Sequence, residues 1–306
     1  MTNKTYAPIA LFVYCRADHA QRTVEALLAN TEAGQSDLFV FSDAPKNDKA
    51  IAGVQATRRY ICTISGFKSV TIVEREENWG LAKSLSSGIT EIINRYGRVI
   101  VVEDDILVSP YFLKYMNDGL NMYADNPRVA SIHAYRYPSM LKLPQTFFIK
   151  GADCWGWATW KRAWDIFNPD ADYLLQQIES RKLKRSFNFG NTYPYVQMLR
   201  NQRDKKISSW AICWNASAFL KDMYTLYPGV SMAQQIGMDG VGATHSQVTN
   251  LYKVRANQVA IDLTEIEPKQ SFIGDLSFKL FFIRRLVVLY TKAIFRRLKK
   301  MFNGSK

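Results

Sequence analysis

Cysteine and histidine are both scarce in this 306-residue chain, with four of the first and three of the second. Cys15, Cys62, Cys154 and Cys213 lie far apart, without metal-ligand spacing, which excludes a zinc ribbon and argues against a disulfide framework. Buried, reduced thiols are the expectation. No stretch is rich in proline, glycine or serine, and no repeat or low-complexity tract interrupts the chain. One large α/β domain or two modest ones fit this length and the 47% hydrophobic content. Residues 1–8 lack a charged segment followed by an apolar run of signal-peptide length, so a cytoplasmic location is expected.

Acidic residues are missing altogether from residues 276–306, which hold nine Lys or Arg out of a net charge of +13. That confinement disfavours nucleic-acid binding, which calls for a basic face on the folded body. In the same tail Leu276, Leu280, Ile283, Val287, Tyr290, Ile294, Leu298 and Met301 recur at spacings of three and four. They form one apolar stripe on a long helix. Charges interrupt the run too often for a membrane span, which takes about 20 apolar residues. Three roles stay open: a helix lying on an anionic membrane surface, a homodimerising coiled coil, or a helix packed on the domain.

The N-terminal half alternates apolar runs with helical patterns. Residues 8–15 read as a first buried strand, and 19–30 as a helix through Val24, Leu27 and Leu28. A strand over 37–41 ends in the turn Ser42-Asp43-Ala44-Pro45, followed by a helix over 48–62 and a strand over 69–74. Asn78-Trp79-Gly80-Leu81 opens a helix to about Arg95, and Val99–Val102 is a further buried strand. This order predicts a Rossmann-like, mostly parallel sheet. From about residue 129 the pattern changes to a short strand at 129–132, a tryptophan-rich region at 147–167, a helix near 193–203, an apolar stretch at 207–220 and a glycine-rich loop at 237–245. Trp160 and Trp164, four apart, suit one face of a helix and are expected to pack.

Glu103-Asp104-Asp105 closes the Val99–Val102 run. Ligands collect at the carboxyl ends of parallel strands, and adjacent acids repel unless a cation joins them. Mg²⁺ or Mn²⁺ holding a diphosphate suits such hard oxygen donors; the bland alternative is a solvated acidic turn. If the strand continues, Glu103 and Asp105 share a face with Asp104 opposite. The start of the helix at Asn78 offers free N–H groups to a donor phosphate, with Gly80 permitting close approach and Lys83 and Ser84 in the first turns. A simple N-cap by Asn78 is the alternative. Trp155 and Trp157 are expected to contact a substrate on its acceptor side, with core packing as the alternative.

Cys15-Arg16, Ser42-Asp43, Asn78-Trp79-Gly80-Leu81-Ala82 and Glu103-Asp104-Asp105, each at a strand end or helix start, resemble a bacterial family 2-type glycosyltransferase of the GT-A fold. A more distant similarity is to the N-acetylglucosaminyltransferase I group. Gly151-Ala152-Asp153-Cys154-Trp155-Gly156-Trp157 and the segment Gly237–His245 look like further marks of the bacterial group. The resemblance covers residues 8–250. It implies an α/β GT-A domain over 1–260, with a nucleotide-sugar half at 1–128 and an acceptor half at 129–260. Residues 261–306 would be a linker and a basic amphipathic, membrane-associating helix.

The resemblance further implies a donor sugar carried on a nucleotide diphosphate, UDP in the first instance, and an acceptor that is a glycan or is lipid-linked, in bacterial surface polysaccharide synthesis at the inner face of the membrane. Asp43 would hydrogen-bond the base, and Arg16 would lie near base or phosphate. Asp105 would ligate Mn²⁺ or Mg²⁺, with Glu103 and Asp104 as donor contacts and His245 completing the metal site. The leading Glu103 departs from a strict DxD. An inverting transfer needs a carboxylate base; Asp153 is the candidate and Asp239 the runner-up. A retaining mechanism would need none. The main rival is a sugar-phosphate nucleotidyltransferase, which would want a glycine-rich loop after the first strand. Tyr14-Cys15-Arg16-Ala17-Asp18 has no glycine there. A non-catalytic nucleotide-sugar-binding module is the other alternative.

Overall fold

The computed structural model describes residues 5–240 and 249–303, with side chains described through residue 291 and at 294. Strands β1 (Ile9–Val13), β2 (Asp37–Ser42), β3 (Ser69–Glu74) and β4 (Arg98–Glu103) alternate with helices α1 (Ala17–Leu28), α2 (Asp48–Ile61) and α3 (Gly80–Tyr96). Next come β5 (Ile106–Val108), α4 (Phe112–Met122), β6 (Val129–His133), β7 (Thr146–Lys150), β8 (Trp157–Trp160) and the short α5 (Lys161–Trp164). Four helices follow, α6 (Ala171–Ser180), α7 (Lys184–Phe187), α8 (Tyr195–Arg203) and α9 (Trp210–Leu220). The chain then forms β9 (Tyr224–Pro228), β10 (Ala233–Gln235) and the long α10 (Phe272–Asn303).

Eight strands make one sheet in the order β3-β2-β1-β4-β8-β6-β9-β7. The block β3-β2-β1-β4 is parallel throughout, as the apolar runs of the sequence require. β8 runs against both β4 and β6, and β7 against β9. Every residue of β1 is buried, and so are Val99–Val102 of β4. On α1, Ala20, Val24 and Leu27 are buried in the core, whereas Leu28, read with Val24 and Leu27 from the sequence, is exposed. The result is a mixed α/β fold with a mostly parallel central sheet flanked by helices.

Helices α6 to α9 hold a second apolar cluster built on Leu174, Ile178, Phe187, Leu199, Ile212 and Phe219. Within the main core Trp157 packs fully buried against Trp164, Trp210 and Trp214, with ring centroids 6.0, 5.7 and 5.7 Å away. Two expectations change here. Trp160 and Trp164 are both buried, yet they do not share a helix face: Trp160 ends β8 and Trp164 ends α5. A spacing of four is satisfied equally well by a strand that turns into a short helix. The C-terminal helix also begins earlier than the stripe, at Phe272, and docks by another row, through the buried Phe278, Phe281 and Phe282.

Candidate functional site

At the carboxyl end of the parallel block, Phe12 of β1 lies opposite Glu103 of β4. The strand stops there, and Asp104 and Asp105 form a turn into β5. Strand alternation therefore does not extend past Glu103, and Asp104 does not face away from Asp105. One guanidinium reaches both: Arg16 Nη2 donates to Asp104 Oδ1 and, over 2.9 Å, to Asp105 Oδ2. The side chains of Asp104 and Asp105 are only 5% and 13% exposed, so their charges face little water. Thr23 on α1 donates to the Asp104 carbonyl at 2.8 Å, which fixes the turn against the helix that follows Arg16.

The site is electrostatically loaded. Burial, with Asp105 and Asp104 beside it, pushes the Glu103 carboxyl up to about 8. Burial pushes Asp104 up to about 6, although Arg16 pulls the other way. Arg16 is itself held above its ordinary value, because the two aspartates outweigh the cost of burying it. With Glu103 held protonated at neutral pH, Asp104 and Asp105 still share a single cation.

Strand β10 closes over this turn. It pairs antiparallel with β5, and Ile236 N–H donates to the Asp105 carbonyl at 2.9 Å. Gln235 Nε2 lies 3.4 Å from Asp105 Oδ2. Gly237 comes so near that a Cβ there would sit 2.1 Å from Asp105 Oδ2 and 2.6 Å from Arg16 Nη1. Only glycine lets the backbone approach the carboxylate this closely. Asp239 follows, with Oδ2 3.1 Å from Nε2 of the buried His19. His245, expected to complete a metal site, lies outside the described residues.

Asp43 takes a different role from the one the resemblance implies. Its carboxylate accepts from the N–H groups of Ala44 (3.0 Å), Trp79 (2.9 Å) and Gly80 (2.8 Å) and from Asn78 Nδ2 (3.2 Å). With four donors on two oxygens, it caps α3 across the sheet end and has little capacity left for a base. The cap therefore comes from Asp43 rather than Asn78, whose amide also donates to the Ala44 carbonyl at 2.6 Å. Two of the N–H groups expected to face a phosphate are used by this carboxylate. Gly80 is needed for its φ of +71° rather than for close approach, since a Cβ there would meet open space. Lys83 Nζ sits over the Trp79 ring at 4.2 Å, on a ring that Arg75 also covers at 4.1 Å.

Asp153 stands among aromatic hydroxyls. Its Oδ2 accepts from Tyr137 at 3.0 Å and Tyr227 at 3.4 Å, and its Oδ1 accepts from Cys154 N–H at 2.9 Å. Burial, followed by the nearby Asp153 charge, raises both phenols well above their ordinary value, so they remain donors. His133 is fully buried with Nε2 3.8 Å from the same carboxylate oxygen, and neither ring nitrogen has a hydrogen-bond partner among the described residues. Burial outweighs Asp153 and lowers His133 to about 4, leaving it neutral. The Cys154 thiol is pushed far up by burial and then by Asp153, Glu103 and Asp105, which puts Asp153 and the acidic turn within electrostatic reach of one side chain.

The two tryptophans of this segment part ways. Trp155 is partly buried, set edge-on to Tyr135 at 4.7 Å and Tyr252 at 5.5 Å, beside the Asp153 cluster. Trp157 is wholly buried and cannot face an acceptor. It is the first residue of β8, a strand buried at every position, and that burial overrides the paired Trp-Gly-Trp pattern. Sequence reasoning missed Tyr137, Tyr227, Gln235 and the buried surroundings of His19 and His133, since each meets its partner only through the folded sheet.

Among the described residues no cluster of three or more His, Cys, Asp and Glu has the arrangement of a closed metal site. The donor set nevertheless suits an open one: Mg²⁺-type ions use one or two carboxylates and fill their remaining positions with phosphate and water. Asp104 and Asp105 offer that pair.

No protein-family model matches the sequence, nor does any curated protein sequence. Among solved structures, one match is the mannosyltransferase PcManGT from Pyrobaculum calidifontis in complex with GDP-Man and Mn²⁺. It is 19% identical over 44% of this chain and 37% of that one, with a TM-score of 0.32. A second is a UDP-glucose pyrophosphorylase complexed with UDP-glucose, 14% identical over 72% of this chain and 90% of that one, with a TM-score of 0.36. The chain thus spans about a third of the first protein's length. Scores this low transfer no activity to this chain.

Proposed function

We propose that the chain is a metal-dependent glycosyltransferase that moves a sugar from a nucleotide-diphosphate sugar, UDP-linked in the first instance, to a hydroxyl of a glycan or lipid-linked acceptor. The observation that carries this reading is the acidic turn after β4. Asp104 and Asp105, buried at the carboxyl end of a parallel strand, share one arginine and stand beside the uncompensated Glu103. Open α/β sheets take their ligands at that end. Asp105 and Asp104 would hold Mn²⁺ or Mg²⁺. Bound there, the ion would offset the charge that grows on the departing diphosphate.

Asp153 is the proposed base for an inverting transfer. Its Oδ1, which accepts only from Cys154 N–H, takes the proton of the acceptor hydroxyl as that oxygen bonds to C1 of the sugar and the C1–O bond to the diphosphate breaks. Tyr137 and Tyr227 orient the carboxylate, and Trp155 offers the acceptor an aromatic edge. Asp239, tied to His19, is better placed to hold the loop after β10 than to act as base. The rival nucleotidyltransferase would need Arg16 and its neighbours free to cradle a triphosphate. That segment has no glycine, and Arg16 is engaged with both aspartates.

Calorimetry with UDP, and with GDP and CMP as controls, tests the reading with and without Mn²⁺ on wild type and Asp105→Ala. Mn²⁺-dependent UDP binding that Asp105→Ala abolishes is expected; no nucleotide binding under any metal condition would overturn it. Incubation with UDP-sugars separates the rivals by product: a transferase releases UDP, whereas a nucleotidyltransferase consumes pyrophosphate and returns UTP.

A further inference from the structure

Helix α10 carries two apolar rows with different fates. Phe278, Phe281 and Phe282 are buried against the domain, and Arg285 reinforces that contact by lying 5.1 Å over the Tyr193 ring. The other row, Leu276, Leu280, Ile283, Val287, Tyr290 and Ile294, is between 37% and 69% exposed. These six side chains recur at spacings of four and three, so they form one continuous ridge. At 100° per residue the ridge lies across the helix axis from Phe278 and Phe281. It therefore points away from the body of the protein. A helix needs only one apolar face to dock on its own domain, and this one has a second.

The charge of the segment indicates what covers that face. Residues 276–306 contain nine Lys or Arg and no acid. A second copy of the helix is a poor partner on two counts. Pairing would bring two like-charged segments together without an acidic residue to bridge them, and continuing the heptad of Leu280, Ile283, Val287, Tyr290 and Ile294 places Arg297 in the seam. An anionic lipid surface satisfies both features at once, since apolar burial and attraction of Lys and Arg add together there. No helix among the described residues is long and apolar enough to cross a membrane, so the contact is along the surface.

We propose that α10 lies on an anionic lipid bilayer, with the Leu276–Ile294 ridge in the acyl boundary and the domain held above it by the phenylalanine row. This geometry fixes the height of the domain over the lipid, because the two rows share one rigid helix. It stands independently of the donor chemistry.

Sedimentation of the full chain with vesicles tests it, using phosphatidylcholine alone and phosphatidylcholine mixed with phosphatidylglycerol. Binding is expected only to the mixed vesicles, with a fall of about tenfold on raising salt to about 0.5 M. The double variant Ile283→Glu, Val287→Glu alters exposed positions and should lose binding by a similar factor or more while melting like wild type. A second variant, Arg284→Gln with Lys292→Gln, keeps the ridge and should weaken binding to mixed vesicles in particular. Failure of the wild type to bind mixed vesicles would overturn the proposal. So would equal binding by the ridge variant, or a concentration-dependent dimer in lipid-free ultracentrifugation that the ridge variant abolishes. UDP calorimetry on the same samples keeps failure of this proposal distinct from failure of the transferase reading.

Discussion

Replacing Arg16 by methionine keeps most of the side-chain stem and removes the cation shared by Asp104 and Asp105. Breaking a buried ion pair from one side costs about 3–5 kcal/mol, because the remaining charge stays out of water. Arg16 is 17% exposed, so the lower end applies, about 3 kcal/mol. At roughly 2–4 °C per kcal/mol, the melting temperature should fall by about 6–12 °C in metal-free buffer at pH 8. The drop should shrink at pH 5, where burial already favours protonated Glu103 and Asp104. If the turn holds the proposed metal, Mn²⁺ should then take the place of the guanidinium. At a hundred times its dissociation constant a ligand returns about 2.7 kcal/mol, nearly the whole loss. Wild type should gain less, since Mn²⁺ must first compete with Arg16. Scanning calorimetry of both proteins, in chelator and in Mn²⁺, decides the matter. A variant that melts within a degree of wild type would show that Arg16 is not the counter-ion of the turn. Equal stabilisation of both proteins by Mn²⁺ would show that arginine and metal do not compete.

Three further outcomes are expected. Glu103 is held at about 8 in the fold against an ordinary 4.5, so between those values the unfolded chain gives up a proton that the folded one keeps. Metal-free stability should therefore fall as pH rises through that window, and melts of Glu103→Gln should show a shallower decline than wild type. Asp43→Ala removes the acceptor of four hydrogen bonds, three of them at the start of α3, and should cost about 2 kcal/mol in thermal melts, with Asp43→Asn losing less. A weak thermal effect paired with complete loss of UDP binding would instead favour the base-binding role. Trp157→Ala should cost about 3–5 kcal/mol by emptying the tryptophan cluster, whereas Trp155→Ala should melt near wild type and act on acceptor use in a turnover assay.

The first half of the fold is legible because β1, β2 and β4 are buried along most of their length, the edge strand β3 is set between clear turns, and each helix shows one apolar side. The strand over 69–74 matches β3 end for end, and the 48–62 helix differs from α2 by a single residue. Patterns fade after residue 129, where strands β6 to β9 mix directions and depend on partners far along the chain. The acids after β4 could be found as a local cluster. Their arginine could not, because Arg16 and Asp105 stand 89 residues apart and nothing in either segment names the other. Asp43 shows the opposite failure. Its place at a strand end is what a nucleotide contact and a helix cap both require, and only the positions of Asn78, Trp79 and Gly80 separate them. In α10 the spacing identifies an apolar ridge, yet periodicity says nothing of which row meets the domain.

The pairing of β10 with β5 also sets an order of events during synthesis. Asp105 leaves the ribosome 130 residues before Gln235, the residue that later reaches over it. At about 5–20 residues per second, the acidic turn waits roughly 6–25 seconds for its cover. Arg16 is already present, as are β1 and α1. The partner that neutralises the two carboxylates is thus synthesised ahead of them, and the strand that covers them long after.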